Sequence, residues 1–175
     1  SFVSNNYIPH AYWSAANVPM VDAGFSGSAL SNNNAADNNI NEIIASTLDV
    51  GVAASASISG STVTVNTLSK FYSDQGEHFI GVYLLEDGVM AMQQISGSNP
   101  AETAHNNVLR AAAYSGNSLG VESMGDSFTT NQEVTGTYTI DVNSNWNSSN
   151  LQVAVVVWKT NVADGISNSI LVDVE

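Results

Sequence analysis

From Gly51 onward, apolar residues alternate with small or polar ones. Val52, Ala54, Ala56 and Ile58 are interleaved with Ala53, Ser55, Ser57 and Ser59. Successive strand side chains point to opposite faces, so a period of two predicts a half-buried strand. Ser59-Gly60 predicts a turn, and Val63 and Val65 resume the alternation over 61–68. A second hairpin is predicted where "FIGVYLL" (79–85) is followed by Glu86-Asp87-Gly88 and then "VMAMQQI" (89–95). Asp-Gly between two apolar strands is a type I′ turn signal, because glycine accepts positive φ without steric cost. Further strands are predicted at 107–114, 134–142, 151–159 and 168–174, with a polar loop, "DVNSNWNSSN", at 141–150. The run from Val153 to Trp158 suits a buried strand. About eight short strands separated by turn signals predict a mainly β chain, an immunoglobulin-like antiparallel β-sandwich. No internal repeat of fixed period is present.

The first fifty residues differ. They hold short apolar patches, two of the three prolines and the Asn-rich stretch "SNNNAADNN" at 31–39. That stretch reads as a loop entering a helix, with Asp37 or a neighbouring Asn as its cap. Ile40, Ile43, Ile44 and Leu48 recur at helical spacing, which predicts a helix over 38–48. The division expected is a short α+β segment at 1–50 and a sandwich at 51–175. The chain starts at Ser1, without Met or a signal peptide, and reads as a processed or trimmed product.

Composition narrows the function. Hydrophobic residues make up 43% of the chain, a globular content. Sixteen acids face three bases, Lys70, Arg110 and Lys159, for a net charge of −13. Such a surface repels phosphate backbones and anionic lipid, and three bases cannot build a nucleic-acid stripe. Polarity is carried by Ser, Asn and Thr, which suits a secreted, extracellular or cell-surface protein. Absence of Cys excludes disulfides, thiolate metal sites and thiol catalysis. No apolar stretch is long enough for a transmembrane helix.

Catalytic patterns are weak. "GFSG" at 24–27 lacks the spaced glycine of a nucleophile elbow. His10, His78 and His105 are isolated, which argues against zinc and against a local triad. Glu86 and Asp87 are adjacent, so on a strand they face opposite ways and cannot flank one scissile bond. Asp87 is expected to serve the turn. Arg110, the sole arginine, is expected to hold an acidic partner, with Glu86 the first candidate. Asp141, Asn143 and Asn145 have the spacing that opens a calcium loop, but the sixth position lacks Gly and the twelfth is Gln152. The competing reading is a loop whose Asx side chains cap their own backbone. Tyr7, Tyr12 and Trp13 cluster near the start, and Trp158 reads as core. Trp146, in the polar loop, is the candidate exposed ligand contact.

The segment from His78 to Ala113 carries a resemblance. A strand ending in Glu86-Asp87 is followed by a turn at Gly88 and a strand ending in Gln93-Gln94. His105, Asn106, Val108, Leu109 and Arg110 follow. This pattern resembles the C-terminal β domain of the twenty-eight-kilodalton outer-membrane-protein family of Bacteroidetes. Gly136 to Tyr138, the polar loop and "LQVAVVVWK" fit the same order. The resemblance implies that residues 1–50 are the tail of a thioredoxin-like domain. It implies architectural roles for Glu86, Asp87, Gly88, His105, Asn106 and Arg110, and no cofactor.

Three readings follow. The first is a non-enzymatic surface module with structural or interaction duties, in its sharper form a self-assembling filament subunit using exposed strand edges. The second is a carbohydrate- or peptide-binding module using Trp146. A hydrolase with a non-obvious site ranks third.

Overall fold

The structure, a computed structural model, describes residues 10–15, 18–24, 48–93, 101–159 and 165–175. Strands β1 (His10–Ala15) and β2 (Val18–Gly24) form a two-stranded antiparallel ribbon. The predicted helix over 38–48 lies outside the described residues, apart from Leu48, which is not helical.

The body is an antiparallel β-sandwich. Its smaller sheet has the order β10 (Glu133–Asp141), β4 (Thr62–Phe71), β3 (Val50–Ser59). Gly60 turns β3 into β4 at φ +60, and the two pair from Val50 opposite Phe71 to Ser59 opposite Thr62. The larger sheet runs β12 (Ile166–Asp173), β11 (Leu151–Lys159), β5 (His78–Glu86), β8 (Val108–Ala112). Strand β9 (Val121–Gly125) pairs further along the same edge of β5. The inward positions carry the apolar alternation: Val63 and Val65 from β4, Val82 and Leu84 from β5, Val153 and Val155 from β11. At the far end Val174 bridges to Ala56 in parallel, so the last residues join the two sheets. There Ile58 N donates to Glu175 O at 2.9 Å, and Glu175 N to Ala56 O at 3.1 Å.

The hairpin predicted at Glu86-Asp87-Gly88 is corrected. Strand β6 (Val89–Gln93) does not fold back on β5; it pairs with β7 (Ala101–His105). Glu86 stands opposite Val108 and Val89 opposite His105, so a single register continues through the interruption. β5–β6 and β7–β8 form one long ribbon that bends midway. Its outer half, β6–β7, extends beyond the sandwich as an arm whose main contacts are within itself. Asp-Gly signals a left-handed residue, and both a turn and a bend can use one.

A smaller core lies at the other end. Phe71 stacks on Phe128 with ring centroids 4.0 Å apart, packed with Val50 and Val157. His78 meets both rings edge-on and is almost fully buried. Its Nδ1 lies 3.1 Å from Gly76 O, and its Nε2 lies 3.1 Å from Ser167 Oγ. The neutral tautomer with Nδ1–H fits both contacts. A bulge turns Ser167 inward, since Val157 pairs with Asn168 but Trp158 with Ile166. Burial pushes the His78 pKa below its ordinary 6.5, outweighing the Gly76 carbonyl, which raises it; Lys159 lowers it further and Asp49 raises it. The unfolded chain thus takes up this proton first as pH falls. The His78 contribution to stability is complete above about pH 6.5 and is lost progressively as pH falls toward the depressed folded value. Denaturant titrations at pH 7.5 and 5.5 are expected to show this loss in the wild type and a flatter profile in His78→Gln. Equal slopes would remove His78 as the cause.

Candidate functional site

At the root of the arm, Glu86 ends β5 with its side chain buried. Arg110, in β8 beside it, reaches across so that its Nε donates to Glu86 Oε2 at 2.7 Å. Asn147 N donates to the other carboxylate oxygen, Oε1, at 2.9 Å. The Arg110 guanidinium lies over the Trp146 ring, 5.8 Å from its centroid. Burying a carboxylate is tolerable when both oxygens are occupied by a cation and an N–H, as they are here. Next along the chain, Asp87 N donates to Asn150 O at 3.0 Å, and Asn150 Nδ2 donates to Asp87 O at 3.1 Å. These bonds tie the 143–150 loop to the bend.

The bend has its own fastening. Asn107 N donates to Asp87 Oδ1 at 2.7 Å, and Gly88 N donates to Asn106 Oδ1 at 3.0 Å. Each strand thus uses an Asx side chain to satisfy the other's backbone where the ladder stops. Gly88 has φ +70 and Asn107 has φ +54, so both strands bend through left-handed residues. A Cβ on Gly88 would meet only Asn150 Nδ2 at 3.4 Å, leaving backbone strain as the cost of substitution. Gly88→Ala is expected to lose about 1 kcal/mol and Asn107→Gly to change stability by less than about 0.5 kcal/mol, as read by urea denaturation.

The other candidates are placed as follows. Trp146 is not an exposed platform: it is half-buried, packed against the main core and covered by Arg110. Its loop folds back onto β5 and β8, which a polar sequence does not announce. Trp158, read as core, is half-buried on the outer face of the larger sheet. His105 lies in β7 with Nε2 buried and without a hydrogen-bond partner. In the candidate calcium loop, Asn143 Oδ1 accepts from Asn145 N at 2.9 Å and Asn143 O from Trp146 N at 3.0 Å. Asp141 Oδ1 accepts from Thr62 Oγ1 at 3.4 Å. These oxygens serve the local chain. Among the described residues, no three His, Asp or Glu side chains converge on one point. His78 and Ser167 touch, but the ring's second nitrogen faces a backbone carbonyl and the pair is enclosed by Phe71 and Phe128.

Two surface features had no signal in the sequence. The arm exposes Met90 and Met92, 56% and 64% accessible. Between β9 and β10 the sandwich has an open seam, a cleft of ≈ 190 Å³ lined by Ser69, Ile80, Glu122, Met124, Val134 and Tyr138 among others. The Ser69 hydroxyl in this cleft is buried and has no hydrogen-bond partner. β9 ("VESMG") carries too little apolar pattern to predict, so the seam it borders was invisible.

An antiparallel sandwich with a buried ion pair at the root of a projecting ribbon defines a β-sandwich module. The chain belongs to the outer membrane protein Omp28 family, whose profile matches residues 7–170. Among solved structures it is similar to a domain of the outer membrane lipoprotein Omp28 from Porphyromonas gingivalis. That match has 17% identity and a TM-score of 0.48, and covers 73% of this chain and 96% of that one. It is also similar to CsgH from R. palustris, at 17% identity and TM-score 0.29, covering 71% and 91%. A β-glucosidase from Listeria innocua matches at 16% identity and TM-score 0.32, over 71% of this chain but 16% of the enzyme. No curated protein sequence matches the chain.

Proposed function

We propose that this chain is a non-enzymatic structural and interaction module of the bacterial cell surface, and that it associates with copies of itself through strand edges. The observation that carries the reading is the β6–β7 arm. It projects from the sandwich with both outer edges free of other described strands and two exposed methionines. An unpaired edge is a template for another strand, and exposed Met suits an adaptable contact. Family membership supports the surface location. Burial and pairing of the best acid, Glu86, support a role in holding shape over acid–base chemistry. The order β3-β4-β10 against β12-β11-β5-β8 supports an immunoglobulin-like arrangement for 51–175, with 1–50 as a separate segment.

Copies carrying a net charge of −13 repel at low salt, so association is expected to strengthen from about 0.01 M to 0.15 M ionic strength as screening shortens the repulsion. Sedimentation across protein concentration at both salts, beside electron microscopy, tests the reading. Single particles of monomer mass under all conditions would overturn self-association. Ordinary enzymatic turnover of ester, peptide or glycoside substrates would overturn the non-enzymatic assignment.

A further inference from the structure

We infer that the open seam beside β10 is a strand-acceptor site, and that the strand it takes is the β6–β7 arm of a second copy of this chain. This rests on the self-association proposed above and names where it happens.

The acceptor is defined by register. Phe71 N donates to Gln132 O, and Val142 N to Ser61 O, at the two ends of the β10–β4 ladder. Between them the pairing runs without a shift. Hydrogen-bonded pairs alternate in an antiparallel ladder, so the even residues of β10 bond to β4. The N–H and C=O groups of Thr135, Thr137 and Thr139 point the other way, where no described strand pairs. The other long edges are interrupted or occupied: β8 and β9 are separate short strands with register shifts, β12 is bulged, and the outer side of β3 is bonded at Val50 by Asn168 Nδ2 and at Ala56 and Ile58 by Glu175. β10 has no bulge, proline or lysine to blunt it.

The cleft supplies side-chain recognition. A strand laid along β10 sends alternate side chains into the seam, over Ile80, Met124 and Val134. At its floor, the buried Ser69 hydroxyl lacks a partner, and an unsatisfied buried hydroxyl is costly until something bonds it.

The donor is identified by charge and by freedom. Residues 89–93 and 134–140 carry no charge in a chain with 16 acids. Along β6 and β10 themselves no acid faces an acid; Glu102 of β7, opposite Met92, and Glu122 at the rim of the seam flank the contact. Met90 and Met92 lie two apart on one strand and therefore on one face, and their side chains are exposed. The arm continues from the Glu86 end of β5, whereas the cleft lies by Ile80 toward the other end. Donor and acceptor are different surfaces, so the contact is head-to-tail and propagates rather than closing a two-fold dimer.

Thr135→Pro removes an outward N–H that makes no bond to β4, so the module keeps its ladder and loses the acceptor edge. Met90→Ser with Met92→Ser disables the donor on an exposed ribbon. Each change alone is expected to weaken association by roughly 100-fold or more, the scale of a few main-chain bonds or two buried side chains. Mixing the two variants is expected to give 1:1 dimers and nothing longer, because one retains only its arm and the other only its seam. Hydrogen exchange of the unmodified protein gives an independent reading: the Thr135, Thr137 and Thr139 amides become protected on assembly, while Gly136 and Tyr138 are protected throughout. A wild type that assembles with those three amides still exchanging freely, or Thr135→Pro assembling as well as wild type, overturns the seam and leaves self-association standing. Assembly of the double-Met variant at wild-type strength overturns the arm as donor. A wild type that never assembles overturns both this inference and the reading beneath it.

Discussion

Arg110→Ala is expected to lower unfolding free energy by about 3 kcal/mol, the low end for breaking a buried ion pair because the guanidinium is partly exposed. Glu86 would remain buried, with Asn147 N–H on one oxygen and nothing on the other. The guanidinium's cover over Trp146 would be lost as well. For a chain of this size the change lowers the melting temperature by roughly 6–12 °C. The paired change Glu86→Leu with Arg110→Met is expected to recover most of the loss, because an apolar pair of similar volume removes the desolvation cost together with the attraction. Denaturant curves on wild type, Glu86→Leu, Arg110→Met and the double close the thermodynamic cycle. Simple addition of the two single losses would show that Glu86 and Arg110 act independently and that the 2.7 Å contact is incidental.

Phe71→Ala is expected to cost about 3–5 kcal/mol, the range for emptying a fully buried aromatic position. One leaf of the Phe71–Phe128 stack disappears and the His78 ring loses an edge-on neighbour. The space left beside His78 admits water, so its pKa is expected to return toward 6.5 and the acid-side loss of stability to flatten. Calorimetry gives the first effect and a histidine NMR titration the second. An unchanged His78 titration in a destabilised Phe71→Ala variant would show that burial by these rings does not set the value.

The parts of this fold legible in the sequence are those governed by local pattern. β3 and β4 alternate cleanly because each buries one face, and Gly60 marks the turn between them. The Val153–Trp158 run stood out because β11 is flanked by strands on both sides and half-covered even on its outer face. Arg110 and Glu86 were paired by chemistry alone, a single arginine and an acid at a strand end. What failed was non-local. Asp87-Gly88 has the residues of a tight turn, and only Asn106 and Asn107 on the returning strand turn it into a bend. β7 ("AETAH") and β9 lack an apolar face of their own, so nothing marked them as strands. Trp146 looked exposed because its neighbours are polar, yet those neighbours bond to Glu86 and Asp87 and pull the ring under Arg110. Ser69 falls one residue beyond the predicted 61–68 strand, and only the longer β4 brings its buried hydroxyl to the seam.

The parallel bridge between Ala56 and Val174 has a mechanical consequence. β3 and the end of β12 run in the same direction there, so tension drawn through the chain from Val50 to Glu175 slides one past the other. The bonds from Ile58 N to Glu175 O and from Glu175 N to Ala56 O lie across that pull and share the load, whereas an antiparallel end peels open one bond at a time. Under such tension this clasp would bear force first, and its rupture rate would set how long the sandwich stays folded under strain.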